Sequence, residues 1–423
     1  MSSSSTGLPA SGAAGSGLRQ DAFVMGLVGL AHGTSHFAQL LLPPLFPWLR
    51  TDLQASYAEL GLLMAIYFTV SCAVQALAGF VADRVGPRPV MLGGMALVGV
   101  AVVGFALATS YWAMAGLIVL AGIGNGVFHP VDFSILNVKV SAKRLGHAYS
   151  THGITGSMGW ALAPALVVPV ALASSWRVAL GVAAILIFAV LLTLWLHREK
   201  LVVRPVPTPL PKAGAGAGAT DGGLGFLRIP VIWMCLTYFF FSAVGLSTVQ
   251  IFAPEAARQL HGMQISMVAV CLTVFMICNG TGMVFGGFLA SSPERCERVI
   301  GGAFGFAALL SLALAFADLS PLVVPVIFGA MGIASGMAGP SRDMLVKTVT
   351  PAGSTGRVYG VVYSGLDVGQ AVAPLIFGVL MDQGNFRGVL VGLAVSQAML
   401  IFSAFNVRKV RRVPLVRTGG ALR

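Results

Sequence analysis

The stretch GFVADRVGPRP at residues 79–89 separates two long apolar runs, at 57–81 and 90–109. A helix needs about 20 apolar residues to cross the hydrocarbon core of a bilayer, and each run is long enough for one crossing. The stretch itself holds one Asp, two Arg and two Pro. Charges are excluded from hydrocarbon and Pro marks turns, so the stretch predicts a short polar connection between two membrane-spanning helices.

The whole chain has the composition of a membrane protein. Of its 423 residues 57% are hydrophobic and 9% are charged, and the mean hydropathy is +0.87. An ordinary soluble domain carries roughly 25% charged residues. The composition therefore excludes a water-soluble enzyme and predicts an all-α, multi-pass integral membrane protein.

Apolar runs of spanning length fall into two groups of six, separated by a stretch rich in Pro, Gly and Ala. They lie at about 22–48, 57–81, 90–109, 112–136, 147–171, 178–196, 231–253, 264–290, 299–317, 321–346, 358–381 and 387–406. We predict twelve transmembrane helices in two pseudo-symmetric six-helix bundles. The predicted regions are a disordered cytoplasmic N-terminal tail at 1–21, the first bundle at 22–196, a cytoplasmic linker at 197–228, the second bundle at 229–406 and a basic cytoplasmic tail at 407–423.

The distribution of basic residues predicts the orientation of the chain. Its net charge is +12, and the basic residues form no patch that would indicate a nucleic-acid partner. With twelve spans, only four of the 26 Lys and Arg fall on one side, namely Arg50, Arg177, Arg258 and Arg387. Because Lys and Arg concentrate in cytoplasmic loops, we expect both termini to be cytoplasmic.

The two groups of spans repeat one another. Gly122 in the fourth span matches Gly332 in the tenth at an offset of 210 residues. The same offset relates Gly159 in the fifth span to Gly369 in the eleventh. Offsets of 208 and 211 relate spans two and eight and spans one and seven. A duplicated six-helix unit explains this pattern, and internal repeats of this kind are typical of transporters.

The order of Gly, Asp-Arg, Gly and Arg within residues 79–89 resembles the loop signature of the major facilitator superfamily. Within that superfamily, Phe128-His129-Pro130 and the run RLGHAYSTHG at 144–153 resemble the fosmidomycin-resistance-like branch of drug exporters. The resemblance implies a fold of two six-helix bundles and proton-coupled export of small molecules from the cytoplasm.

Polar residues inside the spans are the candidate site, because an ionisable group at bilayer depth is costly unless it faces a cavity or a partner. Within each span their spacing of three, four or seven places them on one helix face. We predict that they line one cavity between the halves, with His129, Asp132 and Asp367 as candidate proton carriers. The predicted cavity residues are His32, His36, Gln39, Asn125, His129, His152, Tyr363, Asp367 and Gln370.

A second set of charged residues lies nearer the cytoplasmic ends of the spans. Asp83 can pair with basic groups or face the positive end of a helix. Asp132 and Arg342 fall at equivalent positions of the two repeats. We therefore predict an ion-pair gate that closes the cytoplasmic side in one conformation, formed by Asp83, Arg84, Arg88, Asp132, Arg342 and Asp343.

Other chemistries have less support in the sequence. No Walker loop, GxSxG elbow or HExxH helix occurs, so neither ATP hydrolysis nor an enzyme is predicted. His32 and His36 have metal-ligand spacing and His129 offers a third nitrogen, which leaves a transported metal or metal chelate open. No Cys or carboxylate joins this set by sequence, and we predict no resident metal and no cofactor.

The favoured function is alternating-access, proton-driven export of a small organic molecule or drug across a bacterial cytoplasmic membrane by a monomer. The alternative is a proton-coupled uptake permease for a metabolite, an organic anion or a metal chelate. A non-transporting sensor or an intramembrane enzyme is a third reading. Spans one, two, seven and eight carry no Lys or Arg at depth, which favours a neutral or cationic substrate over an anion.

Overall fold

The computed structural model of the chain describes residues 17–203, 230–289, 296–349 and 355–412, and these are helical without any strand. The helices of the first half are α1 (Leu18–Gln39), α2 (Phe46–Leu53), α3 (Tyr57–Val85), α4 (Pro87–Leu107), α5 (Tyr111–Asn125), α6 (Phe128–Lys139), α7 (Leu145–Ala173) and α8 (Trp176–Leu196). Those of the second half are α9 (Pro230–Ile251), α10 (Ala253–His261), α11 (Ile265–Leu289), α12 (Cys296–Phe316), α13 (Val323–Val349), α14 (Thr355–Asp382) and α15 (Phe386–Arg412).

Eleven spans among the described residues are long and apolar enough to cross a membrane, with α5 and α6 counted together as one span. The helix α1, which carries Asp21, His32 and His36, is less apolar and is the twelfth. The predicted all-α architecture of twelve spans is thereby confirmed. Among the described α-helices, the short α2 and α10 lie outside it, both on the face of the molecule where α3 and α11 begin.

Local sequence explains where the spans begin and end. A capping box starts α3, in which Ser56 Oγ accepts from Glu59 N at 3.1 Å and the Glu59 carboxylate accepts from Ser56 N at 2.7 Å. The helix ends at Gly86, whose φ of 89° is available to a residue without a Cβ. Pro87 then opens α4 at its first position, where a missing N–H costs nothing.

Three boundaries differ from the sequence-based prediction. The first span ends at Gln39 instead of near residue 48, because Pro43 and Pro44 open a separate 3₁₀ turn. The fourth span is interrupted between Asn125 and Phe128 instead of being continuous. The helix α15 continues to Arg412, past the predicted start of the tail.

The start of α1 also differs, since Leu18 to Asp21 are helical although they fall in the predicted N-terminal tail. The Asp21 carboxylate is fully buried and accepts from Ser141 Oγ at 2.7 Å and from Arg144 Nε at 2.7 Å. A carboxylate that would be costly to bury alone is thus paired and hydrogen-bonded. These bonds fix the beginning of α1 against the connection between α6 and α7.

The internal repeat reappears in the packing of helices against each other. A Cβ on Gly122 of α5 would lie 2.9 Å from the carbonyl oxygen of Tyr67 on α3. A Cβ on Gly332 of α13 would contact the carbonyl oxygen of Phe275 on α11. Both glycines therefore allow two backbones to approach closely at equivalent positions of the two halves, as small residues do in membrane helices.

The two halves meet along two pairs of helices. The helix α3 packs on α14, and α7 packs on α11, whereas α1 packs on α7 and α9 packs on α14 within their own halves. The four helices at the interface surround a space between the halves. Polar residues of these helices and of α1, α5, α6, α9 and α13 can therefore reach a common cavity.

We expect Gly122→Ala to lower the midpoint of thermal unfolding in detergent, because the added methyl group would press on the Tyr67 carbonyl and overpacking costs about 1–3 kcal/mol. Gly116→Ala in the same helix is the matched control, since a Cβ there meets nothing within 4 Å. This control should hold or raise the midpoint, because Ala forms helix better than Gly by about 1 kcal/mol. Equal midpoints for the two variants would contradict the close helix approach.

Candidate functional site

A cavity of about 310 Å³ lies between the two halves at mid-height of the spans. Aromatic and aliphatic side chains form part of its wall, including Phe68, Phe275 and Leu246. Apolar walls with a few polar groups are typical of small-molecule sites. The polar lining is His36, Gln39, Ser71, Gln75, Asn125, His129, Ser157 and Trp160 from the first half and Ser242, Asn279, Ser335, Asp367, Gln370 and Gln397 from the second.

Among the described residues that line the cavity, Asp367 is the only carboxylate, and none is Lys or Arg. Asp367 is half-buried on α14, and the thiol of Cys72 on α3 of the other half lies beside it. The charge of the cavity therefore depends on whether Asp367 is ionised and on whether His36 and His129, which also line the cavity, are protonated.

Four histidines from α1, α6 and α7 lie together at the first-half side of the cavity. The rings of His32 and His152 stack with centroids 3.5 Å apart. The His32 ring lies 4.2 Å from that of His36 and 5.0 Å from that of His129, measured between centroids. His36 and the exposed His129 line the cavity, whereas His32 and His152 are buried behind them.

Asp132 completes this group, which we call the histidine cluster: His32, His36, His129, His152 and Asp132. The fully buried Asp132 Oδ2 lies 3.1 Å from His152 Nε2 and 3.3 Å from His32 Nδ1. The sequence grouped Asp132 with the gate, whereas in the structure its carboxylate contacts His152 and His32. Asp132 lies on α6, three residues after His129. The interruption of the fourth span before α6 therefore orients both side chains toward His32 and His152.

Two hydrogen bonds hold polar groups of the lining in place. The Trp160 indole N–H donates to Gln39 Oε1 at 3.3 Å, and the Trp160 ring stacks on His36 with centroids 4.2 Å apart. Asn125 Nδ2 donates to Ser71 Oγ at 3.0 Å. The amide carbonyl of Gln39 and the hydroxyl of Ser71 are thereby oriented by neighbours on other helices.

Comparison with known proteins settles the family. A family model described as Major Facilitator Superfamily matches residues 28–331 and 262–420. The chain belongs to the major facilitator superfamily. This is a family of membrane transporters and in general not of enzymes, so the protein is a multi-pass membrane transporter of small molecules.

Individual superfamily members are similar to this chain over a third to two thirds or more of its length. The fosmidomycin resistance protein of Escherichia coli (strain K12) is 24% identical over 310 residues, covering 70% of this chain and 71% of that protein. The multidrug resistance protein MdtL of Shigella dysenteriae is 36% identical over 156 residues, or 36% of this chain and 39% of that protein. The uncharacterized transporter YfnC of Bacillus subtilis is 27% identical, and the match spans 34% of its length.

Solved structures of superfamily members confirm the fold. A bacterial homologue of the human lysosomal transporter Spinster, in an inward-facing and unoccupied conformation, superposes with a TM-score of 0.77 at 16% identity. The match covers 94% of this chain and all of that chain. The nucleoside transporter NupG superposes with a TM-score of 0.71 at 13% identity.

The structure brings most of the predicted cavity residues together. His36, Gln39, Asn125, His129, Asp367 and Gln370 line the cavity, His32 and His152 lie behind it, and the side chain of Tyr363 is outside the described residues. Sequence reasoning missed Gln75, Asn279 and Gln397 in the lining. Asn279 lies 208 residues after Ser71, and both line the cavity, but the repeat could not single out this pair because Ser71 was not predicted either.

The cavity is closed at the face that carries α2 and α10, which we call the gate face. The Asp382 carboxylate at the end of α14 accepts from the backbone N–H of Tyr57 at 2.7 Å and of Ala58 at 2.8 Å. These are the first residues of α3, where the helix dipole favours a negative charge. The second half of this superfamily member therefore caps a helix of the first half.

Aromatic and charged side chains extend this closure. The Tyr57 hydroxyl donates to Glu255 Oε1 at 3.0 Å, and Arg258 holds the same carboxylate with two bonds of 2.7 and 2.8 Å. The ring of Phe252 on the second half packs on those of Phe46 and Tyr57 on the first. No sequence pattern pointed to these residues, because each interaction between the halves joins positions about 200 residues apart, although Arg258 and Glu255 are neighbours on α10.

The opposite face, on which residues 198–203 lie, carries the residues of the cytoplasmic ion-pair gate that the sequence predicts. Asp83 and Arg84 are exposed, and within the described part of the chain neither forms an ion pair. Arg88 Nη1 lies 3.3 Å from Glu199 Oε1, an ion pair within the first half. The side chains of Arg342 and Asp343 are outside the described residues, so the ion-pair gate between the halves stays a prediction.

We expect Asp382→Ala to open the gate face, because it removes two charged hydrogen bonds between the halves. Pulsed electron paramagnetic resonance between spin labels on Thr51→Cys and Gln264→Cys, without the native cysteines, should show a longer distance population than in the parent. Asp318→Ala is the control, since Asp318 is exposed on the same face. An unchanged distance distribution for Asp382→Ala would show that this cap does not hold the face closed.

Proposed function

We propose that this superfamily member exports a small neutral or cationic organic molecule from the bacterial cytoplasm in exchange for protons. One observation carries the proposal. Both halves build the cavity, and among the described residues that line it Asp367 is the only carboxylate and none is Lys or Arg. The lining pairs this carboxylate with amides, hydroxyls and aromatic rings. Such a surface suits an organic molecule with a few hydrogen-bonding groups.

Asp367 supplies the coupling in this proposal. A carboxylate at bilayer depth is stable when protonated or when paired with a cation, and costly when it is neither. A proton and a cationic or hydrogen-bonding substrate therefore compete for it. The proton and the substrate each make different contacts in the two conformations and therefore favour different conformations. The proton is released from Asp367 before the substrate binds, and the substrate before the proton, so the two are exchanged across the membrane.

Asp367 is also placed to sense the conformation. It lies on α14, which packs on α3 across the interface, and Cys72 on α3 is its neighbour from the other half. Rocking of the halves would separate the two residues and change the solvation of the carboxylate. Binding of a proton or of substrate at Asp367 is thereby linked to the relative orientation of the two six-helix bundles, as alternating access requires.

The distribution of charge supports an orientation, and the relatives support a direction. Among the described residues most Lys and Arg lie on the face of residues 198–203, so in this proposal that face is cytoplasmic and the gate face is external. Closure at the gate face then corresponds to an inward-facing state in the cytoplasmic membrane. The names of two relatives, a fosmidomycin resistance protein and a multidrug resistance protein, favour export, and one chain suffices to build the cavity.

The first experiment identifies a substrate and its coupling. Purified protein is screened by thermal shift against neutral and cationic antibiotics and metabolites, and each hit is tested for flux in proteoliposomes containing a pH-sensitive dye. Export by exchange predicts that substrate entering a vesicle drives protons out, so the lumen becomes alkaline. Substrate and protons that enter together would instead support the uptake permease. Flux that ignores an imposed pH gradient would remove proton coupling altogether.

The second experiment tests the residue. We expect Asp367→Asn to reduce gradient-driven flux at least tenfold, because the amide cannot bind or release a proton at this position. The variant keeps the size and the hydrogen-bonding capacity of the side chain, and its unfolding midpoint should match that of the parent. Asp318→Asn, exposed outside the cavity, should leave flux unchanged. Full gradient-driven flux in Asp367→Asn would disprove the role of this carboxylate.

A further inference from the structure

We propose that His32, His129, His152 and Asp132 of the histidine cluster bind a divalent transition-metal cation within the first half. The site is separate from Asp367 and does not rest on the proposed export function. Its chemical class is a borderline metal such as Zn²⁺, Co²⁺ or Ni²⁺, because imidazole nitrogen is the preferred donor for these ions. Mg²⁺ and Ca²⁺ prefer oxygen ligands and are excluded by the same chemistry.

The distances between donor atoms support this assignment. One ligand atom from each of the three histidines lies within 4.8 Å of the other two. In a tetrahedral site with bonds of about 2.0–2.1 Å, neighbouring ligand atoms are about 3.3–3.4 Å apart. Asp132 Oδ2 is 3.1 Å from His152 Nε2 and 3.3 Å from His32 Nδ1. The pairs of Asp132 with His152 and with His32 are thus already at the separation that a bound metal imposes, and the His129 nitrogen, within 4.8 Å of the other two histidine nitrogens, would complete the set by moving inward.

Unsatisfied polar atoms give a second, independent indication. His32 Nδ1 and Asp132 Oδ1 are buried without a hydrogen-bond partner, although both residues are at least 98% buried. A buried polar atom without a partner costs about 1–3 kcal/mol. A structural role for the cluster, with His152 bonded to Asp132, leaves Asp132 Oδ1 unsatisfied and gives His32 Nδ1 only an ion-pair contact of 3.3 Å with Asp132 Oδ2. A cation held by His32 Nδ1 and by both oxygens of the carboxylate would satisfy these atoms.

The cluster also has an entry path. His129 is exposed and lines the cavity, whereas His32, His152 and Asp132 lie immediately behind it. A hydrated ion that enters the cavity would meet the His129 ring first and could then exchange its water for the buried donors. An entry path, suitable donors and their spacing are the checkable requirements of a metal site.

The structure selects a different set of donors from the one that spacing suggested. The sequence paired His32 with His36 at i and i+4 and drew no carboxylate into the set. In the structure His36 stacks on Trp160, and His152 from α7 takes its place beside His32. The donors therefore come from α1, α6 and α7, and a bound metal would join these three helices.

Binding of Zn²⁺ is measured by isothermal titration of the purified full-length protein without a polyhistidine tag. We expect one Zn²⁺ per chain, no heat from Mg²⁺, and an affinity at least about tenfold weaker in His129→Gln and in His152→Gln. His147→Gln is the matched control on α7, because His147 is exposed and outside the cluster. His36→Gln should also retain binding, which separates this donor set from the one that spacing suggests.

Three results would overturn the proposal: no Zn²⁺ binding by the parent, parental affinity in both His129→Gln and His152→Gln, or loss of binding in His147→Gln or His36→Gln. X-ray absorption of the Zn²⁺-loaded parent decides the question even if a variant does not fold. Three imidazole ligands in that spectrum support the site, and a shell of oxygen alone refutes it. None of these measurements involves flux. The metal site can therefore be refuted while the export function is supported, and the export function can be refuted while the metal site is supported.

Discussion

Hydrocarbon offers no hydrogen-bonding partner, and this constraint governs the whole molecule. Backbone groups meet it by forming helices, and many hydroxyl groups meet it by bonding to their own helix. Thr34, Thr69 and Ser311 each donate to the carbonyl oxygen four residues earlier. Polar side chains that cannot do this must reach another helix or water. They gather in the cavity and in the histidine cluster, and the chemistry of the protein is concentrated there.

The duplicated frame makes the chemical difference between the halves visible. At an offset of 210, Ser157 corresponds to Asp367 and Trp160 to Gln370, and all four line the cavity. Backbone geometry therefore presents equivalent positions from both sides, while the side chains differ. The first half contributes an indole and a hydroxyl where the second contributes a carboxylate and an amide.

The histidine cluster shows the same divergence more strongly. His129 corresponds to Gly339 at the offset of 210, and His32 corresponds to Ala243 at 211. Asp132 corresponds to Arg342. The second half thus repeats the helices without repeating the cluster. Any function of these five residues belongs to the first half alone.

Most of the fold could be predicted because apolar runs mark which segments of the chain cross the membrane. The cavity residues could be predicted because costly polar groups such as Asp367 stand out in apolar helices. The partners of Asp132 could not, since His152 lies on another helix and only packing reveals it. Asp21 was placed in a tail for the same reason, because its partner Arg144 is over 100 residues away.

The cap that Asp382 places on α3 has a consequence for the evolution of the gate. An ion pair between side chains constrains two positions, and a change at one can be compensated at the other. Here the acceptor is a side chain but the donors are main-chain amides, which every residue except proline supplies. Residues 57 and 58 can therefore vary in sequence without weakening the cap, and no substitution there can replace a lost Asp382. The contact would leave no covariation signal, even though it joins the two halves of the transporter.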